Sequence, residues 1–160
     1  MANICTNTIT FSGEDLSPIR NLIQEIQEAE ENNVGWLPEG YKGDYYHYLF
    51  DVDITDYDEE IVINCWTKWS PPIDEMMYLC KQTNVNVNIH YEEMGMGLYG
   101  VCGYNSSKDE FEDVCLDDDD INRIQYDEEN NTFTLDGEPI QSDFEEYENM
   151  LIDKLKQLNF

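Results

Sequence analysis

Basic residues are scarce. Of 160 residues, 8 are lysine or arginine against 36 aspartates and glutamates, giving a formal net charge of −28. Nucleic-acid phosphate is held mainly by Lys and Arg, so direct binding to nucleic acid is excluded as a main activity. Attraction to anionic membranes is opposed for the same reason. Histidine is nearly absent too. His47 and His90 both read as strand residues, at alternate-face positions. A His/Cys metal site would need His90 beside Cys5, Cys65 or Cys102, and no local spacing brings them together. A Cys–His nucleophilic pair has no better support.

CxxC spacing is missing. The five cysteines are Cys5, Cys65, Cys80, Cys102 and Cys115. Cys5, Cys65 and Cys102 lie in apolar strand patterns and Cys80 in a helix, so reduced core thiols in a reducing compartment are expected. No apolar run approaches a membrane span and no charged-then-apolar leader precedes the first strand. The expected location is therefore cytoplasmic. Met1–Ala2 runs straight into strand-like sequence, so little is expected to precede it. An apolar content of 41% argues against a wholly disordered chain.

What is present centres on Glu60 to Tyr104. Ile61, Ile63 and Cys65 alternate with Val62, Asn64 and Trp66, the period of a strand. Pro71 and Pro72 stop that strand, Pro72 can open a helix, and Ser70 is placed to cap it. Ile73, Met76, Met77, Leu79 and Cys80 form its inner face. Val85, Val87, Ile89 and Tyr91 then point one way in a further strand. Leu98 to Tyr104 adds another through the turn Gly95-Met96-Gly97. The segment Gly95-x-Gly97-x-x-Gly100 matches a dinucleotide-binding pattern but leads into a strand rather than a helix, which rejects that reading.

Upstream, Asn3 to Ser12 is rich in β-branched residues and reads as a first strand. Asp15 or Ser17 caps a helix to about Glu31, with Leu16, Ile19, Ile23 and Ile26 striped along it and Leu22 beside them. A loop with Pro38, Gly40 and Gly43 follows. Tyr45 to Thr55 reads as the second strand, with Tyr46, Tyr48, Phe50, Val52 and Ile54 on one face. The order is β-α-β-β-α-β, which predicts an α+β, ferredoxin-like core with an antiparallel sheet and helices on one face. Its expected core includes Ile9, Phe11, Ile23, Ile61, Ile63, Val87 and Ile89.

From Asn105 the composition changes. Residues 105–160 hold 18 acidic and 4 basic residues, the same numbers as residues 1–104 in about half the length. Ile121 to Tyr126 and Thr132 to Leu135 are expected to pair as a hairpin, with a turn at Asp136-Gly137. Ser142 or Asp143 caps a last helix with Phe144, Tyr147, Leu151, Leu155 and Leu158 on one face. The expected organisation is residues 1–104 as core with one added strand, and 105–160 as an acidic extension packed on it as one domain.

Three segments resemble the Api92-like or YubB-like family, proteins with a ferredoxin-like domain common on plasmids, phages and other mobile elements. They are Met1-Ala2-Asn3-Ile4-Cys5-Thr6-Asn7, Thr67-Lys68-Trp69-Ser70-Pro71-Pro72, and Tyr91-Glu92-Glu93 with Gly95, Gly97, Leu98 and Gly100. Ala2 and Ile4 depart from the family's proline and tryptophan. The resemblance implies the fold and a mobile-element setting. It implies no catalytic residues.

Candidate chemistry is sparse. With Asp118 as position one, Asp120, Asn122 and Glu129 fall at calcium-loop positions three, five and twelve. Arg123 occupies the turn position that needs glycine, and the flanks read as strand, so a solvated acidic loop is the better reading. The leading functional reading is a non-catalytic interaction protein with no cofactor. It presents Asp109, Glu110, Glu112, Asp113, Asp117, Asp118, Asp119 and Asp120 to a basic protein partner, with Trp36, Tyr41 and Trp69 as aromatic anchors. In its sharpest form it mimics nucleic-acid charge and inhibits a host defence or nucleic-acid-binding protein. The alternative is a small metal-dependent enzyme, or a metal- or ligand-binding protein, using acids near the aromatic loop.

Overall fold

The computed structural model describes residues 3–157. β1 (Ile4–Ser12) buries Cys5, Asn7, Ile9 and Phe11 on one face and turns Thr6, Thr8 and Thr10 to the other. α1 (Ser17–Glu31) has Leu16 as its N-cap residue, and the Asp15 carboxylate accepts from the Ser17 N–H at 2.9 Å. Its buried arc runs through Ile19, Leu22, Ile26 and Ala29, leaning over β2 (Phe50–Asp56). Ile23, expected in the core, is therefore only half-buried at the margin of that arc.

β3 (Glu60–Lys68) and α2 (Ile73–Thr83) follow as the sequence predicts. The N-cap of α2 is Pro72 rather than Ser70, and no side chain caps the helix. β4 (Asn86–Glu93) leads through a 3-10 turn, Met94–Met96, into β5 (Leu98–Asn105). The sheet order is β2-β3-β1-β4-β5, antiparallel throughout, so the first four strands have the ferredoxin-like arrangement. A glycine is required at Gly100, where a Cβ would lie 2.6 Å from the Tyr91 hydroxyl and 2.8 Å from the Val114 carbonyl oxygen.

Two expectations change. The second strand starts at Phe50, not Tyr45. Trp36 and Leu49 make an isolated bridge, and a register shift between Phe50 and Asp53 puts Asp51 at φ 51°. That irregularity reverses the alternation. Leu49 is buried before it, while Val52 and Ile54 pack against the core after it. Tyr46 and Tyr48 stay exposed in the preceding loop, and His47 lies in that loop too. The acidic extension also begins with a strand, β6 (Glu110–Cys115), which pairs with β5 and makes the sheet six-stranded.

α3 (Asp118–Ile121) is one turn, and β7 (Ile124–Asp127), β8 (Thr132–Leu135) and β9 (Glu138–Pro139) form a small separate sheet. α4 (Asp143–Gln157) lays Tyr147 and Leu151 over Tyr99, Val114, Leu116 and Ile124. Each such fully buried apolar side chain contributes about 1.5–3 kcal/mol. Phe144, expected on the same face, is exposed, and Leu158 lies outside the described residues. The helices α1 and α2 thus cover one sheet face. On the other face α4 covers only the β5–β6 end, leaving β1, β3 and the outer part of β2 open.

A candidate binding groove on the open sheet face

The eight extension carboxylates do not form one surface. Strand alternation sends Glu110 and Glu112 to the open-face side of β6 with Val114, and Asp113 to the opposite side. There Asp113 accepts the Tyr91 hydroxyl at 2.9 Å. Asp109, in the turn before β6 at φ 52°, accepts the Tyr104 hydroxyl at 2.8 Å and lies 3.4 Å from the Lys81 ammonium. Those contacts hold its carboxyl below the usual range, the Tyr104 hydrogen bond first. Asp117 caps α3 by accepting from the Asp120 N–H at 3.0 Å, and the two form a reciprocal capping box. Lys154 of α4 reaches both carboxylates, at 2.9 Å for Asp117. Only Asp118 and Asp119 project from this turn without an ion pair among the described residues.

The three aromatic anchors separate as well. Trp36 is 4% exposed, with its indole N–H donated to Glu25 at 2.8 Å, and is a core residue rather than a contact. Trp69 is 49% exposed, at φ 74° just after β3. Tyr41 is half-buried and belongs to a continuous ladder of rings. Tyr78 meets Tyr41 at 5.7 Å between centroids, Tyr41 meets Tyr46 at 5.8 Å, Tyr46 meets Tyr48 at 6.4 Å, Tyr48 meets Phe50 at 6.5 Å, and Phe50 stacks on Trp66 at 4.6 Å. The alternation of tyrosines at 46 and 48 was the available signal for this ladder. Its exposure follows from the register shift in β2.

The ladder ends in a groove of about 440 Å³ on the open sheet face. Its floor is Thr6, Thr8, Asn64 and Trp66. Asp51 and Asp53 stand on the β2 side, His90 and Glu92 on the β4 side, and Phe144 of α4 closes one end. Thr6 donates to Glu92 at 2.8 Å and Thr8 to Asn64 at 2.9 Å, which fixes the floor. Glu148 accepts from the Tyr99 hydroxyl at 2.6 Å and lies 3.1 Å from His90 Nε2, anchoring α4 beside the groove. No lysine or arginine lines it. Nearby, Lys68 holds its ammonium 5.7 Å from the Phe50 ring centroid, so the faces of this stack already accept a cation.

The histidine in the aromatic loop is tied to the buried start of α2. Glu75 is fully buried, and its Oε1 accepts the His47 backbone N–H at 2.6 Å while lying 3.0 Å from His47 Nδ1. His47 Nε2 is 2.8 Å from Ser70 Oγ. The Glu75 hydrogen bond raises the imidazole pKa, against the lowering effect of burial. The cysteines are free. Burial pushes the thiols of Cys5, Cys65, Cys80 and Cys102 up to about 12, which leaves them protonated and inert, and Cys115 is exposed. Among the described residues no three His, Cys, Asp or Glu side chains gather as a metal site.

The family model described as a ferredoxin-like domain in Api92-like protein matches residues 49–149. No curated protein and no solved structure matches.

Proposed function

The chain belongs to the Api92-like family with a ferredoxin-like domain, and on that premise we propose that it is an acidic binding protein. It holds a basic segment of a protein partner on the open face of its sheet. The observation that carries this reading is the groove itself: carboxylates of Asp51, Asp53 and Glu92 around a half-buried Trp66 stacked on Phe50, with no lysine or arginine in its lining. Lysine or arginine side chains gain both charge pairing and ring contact there. The remaining acidity, including Asp117 to Asp120, attracts the partner from a distance and sets the rate of encounter. In its sharpest form the partner is a host nucleic-acid-binding or defence protein, whose basic surface the protein occupies in place of nucleic acid. The mobile-element setting implied by the sequence resemblance supports that form, as does a charge of −28.

The test is a titration with an arginine- and lysine-rich peptide, read by tryptophan fluorescence and stopped-flow kinetics across a salt series. Asp51→Asn with Asp53→Asn is expected to raise Kd about tenfold, chiefly through faster dissociation. Replacing Asp117 to Asp120 by Asn is expected to slow association and flatten its salt dependence, leaving dissociation unchanged. Equal rates and salt slopes for all three proteins would remove the electrostatic account.

A further inference from the structure

We propose that Ser70, His47 and Glu75 form a nucleophilic relay that takes the acyl group of a neutral carboxylic ester. This centre lies outside the groove lining and does not depend on the binding reading above. Its parts come from three places: the turn after β3, the aromatic loop before β2, and the first turn of α2.

The geometry is that of a nucleophile, its base and an orienting acid. Ser70 Oγ is 2.8 Å from His47 Nε2, and His47 Nδ1 is 3.0 Å from Glu75 Oε1. A carboxylate can only accept, so Nδ1 carries the ring proton and Nε2 is left to accept the serine hydroxyl. The His47 backbone N–H donates to the same carboxylate oxygen, which fixes the ring from two points. Glu75 is fully buried, and its Oε2 has no hydrogen-bond partner among the described residues. A buried acid with half its acceptor capacity unused is costly for a merely structural tie.

Ser70 is held firmly and left half-exposed. Its carbonyl accepts the Thr67 hydroxyl at 2.7 Å, and the buried Asn7 amide donates to that hydroxyl at 3.0 Å. Trp69 before it is in the left-handed region at φ 74°, and Pro71 and Pro72 after it are buried. The chain therefore turns from strand to helix within a few residues, with the Ser70 hydroxyl held against His47. The first turn of α2 has no side-chain cap, so its N–H groups remain available to a developing oxyanion. Exposed Tyr46, Tyr48 and Trp69 flank the pair, offering apolar contact to an acyl chain. Asp74, next to Glu75, lies close to His47 and disfavours anionic substrates.

The step balances without a cofactor. Ser70 Oγ bonds to the ester carbonyl carbon as its proton passes to His47 Nε2. The imidazolium returns that proton to the leaving alkoxide as the carbon–oxygen bond breaks. Water then attacks the acyl-serine, giving a proton to His47, which passes it to Ser70 Oγ as the acyl carbon–oxygen bond breaks and the carboxylic acid leaves. Ser70 and His47 act on the substrate, and Glu75 positions His47.

The experiment is labelling with an alkyl fluorophosphonate, followed by intact mass and peptide mapping, with circular dichroism on every variant. The wild type is expected to gain one adduct per chain, mapped to Ser70, at a rate that rises with pH as His47 loses its proton. Ser70→Ala is expected to gain none. His47→Gln is expected to label about a hundredfold more slowly and without that pH dependence. A burst of one nitrophenol per chain from a short-chain nitrophenyl ester, lost in Ser70→Ala, provides the second readout. No adduct at Ser70 in folded wild type overturns the proposal. So does an adduct formed equally fast in His47→Gln, which is what a merely structural His47 would give.

Discussion

His47 shows how a single side chain can be misread from its neighbours. Flanked by Tyr46 and Tyr48, it has the alternation of a strand, and Ser70 before two prolines has the look of a helix cap. Both local readings are sound chemistry, yet neither is what the residue does. The two side chains meet each other, and His47 is tied in turn to Glu75, 28 positions away, where a buried acid at the start of a helix is indistinguishable in sequence from an ordinary first-turn acid. The contact has a pH signature. The folded pKa of His47 is raised from 6.5, by the Glu75 hydrogen bond first and then by the Glu75 and Asp74 charges, with burial opposing. The stabilisation is therefore fully present below pH 6.5 and is lost as pH rises through the folded value. His47→Gln is expected to cost about 1–3 kcal/mol below that window, because it withdraws a charged donor from a buried carboxylate. It should also flatten the stability curve from mildly acid to mildly alkaline pH. Urea denaturation across that range checks both, and an unchanged slope would mean that His47 does not titrate with folding.

At the scale of elements, the β-α-β-β-α-β order was legible because each core strand has one buried face and α1 and α2 carry apolar stripes. The sixth strand was not. Glu110-Phe111-Glu112-Asp113-Val114-Cys115 buries only Val114, and an edge strand needs hydrogen bonds on one side alone, so an acidic strand reads as a loop. The irregularity in β2 was hidden for a different reason. Alternation across Tyr46, Tyr48, Phe50, Val52 and Ile54 is unbroken in sequence, and only the backbone at Asp51 breaks it. The candidate groove inherits the second omission, since Asp51 and Asp53 belong to the irregular strand. The eight extension carboxylates, by contrast, were visible as residues but not as two faces of one strand and a capped turn. The cores beneath these elements are two, one under α1 and α2 and one under α4. Leu151→Ala, at a side chain 1% exposed in the second core, is expected to cost about 2–5 kcal/mol. The loss should fall first on α4, β7 and β8, seen as faster amide exchange there while β1, β3 and β4 keep their protection. Uniform loss of protection across both cores would show that they open together.

At the scale of the whole molecule, 36 carboxylates against 8 basic side chains must repel one another in the folded state. Much of this charge is exposed, so mobile ions screen it over roughly 8 Å at physiological ionic strength. Raising salt from about 20 mM to about 500 mM is expected to raise Tm by several degrees, read by calorimetry. A Tm that falls or stays fixed would mean that the local ion pairs, such as Lys154 with Asp117 and Asp120, outweigh the general repulsion. The position of β1 has a consequence in time. It lies between β3 and β4, so the strand synthesised first stays unpaired along one edge until residues 86–92 are made. At roughly 5–20 residues per second, its partners arrive on the order of ten seconds after it. Through that interval the edge of β1 that β4 will take stays unpaired on the nascent chain, and Thr8 and Thr10 beside Ile9 and Phe11, with the acidic helix that follows, oppose its sticking to other chains.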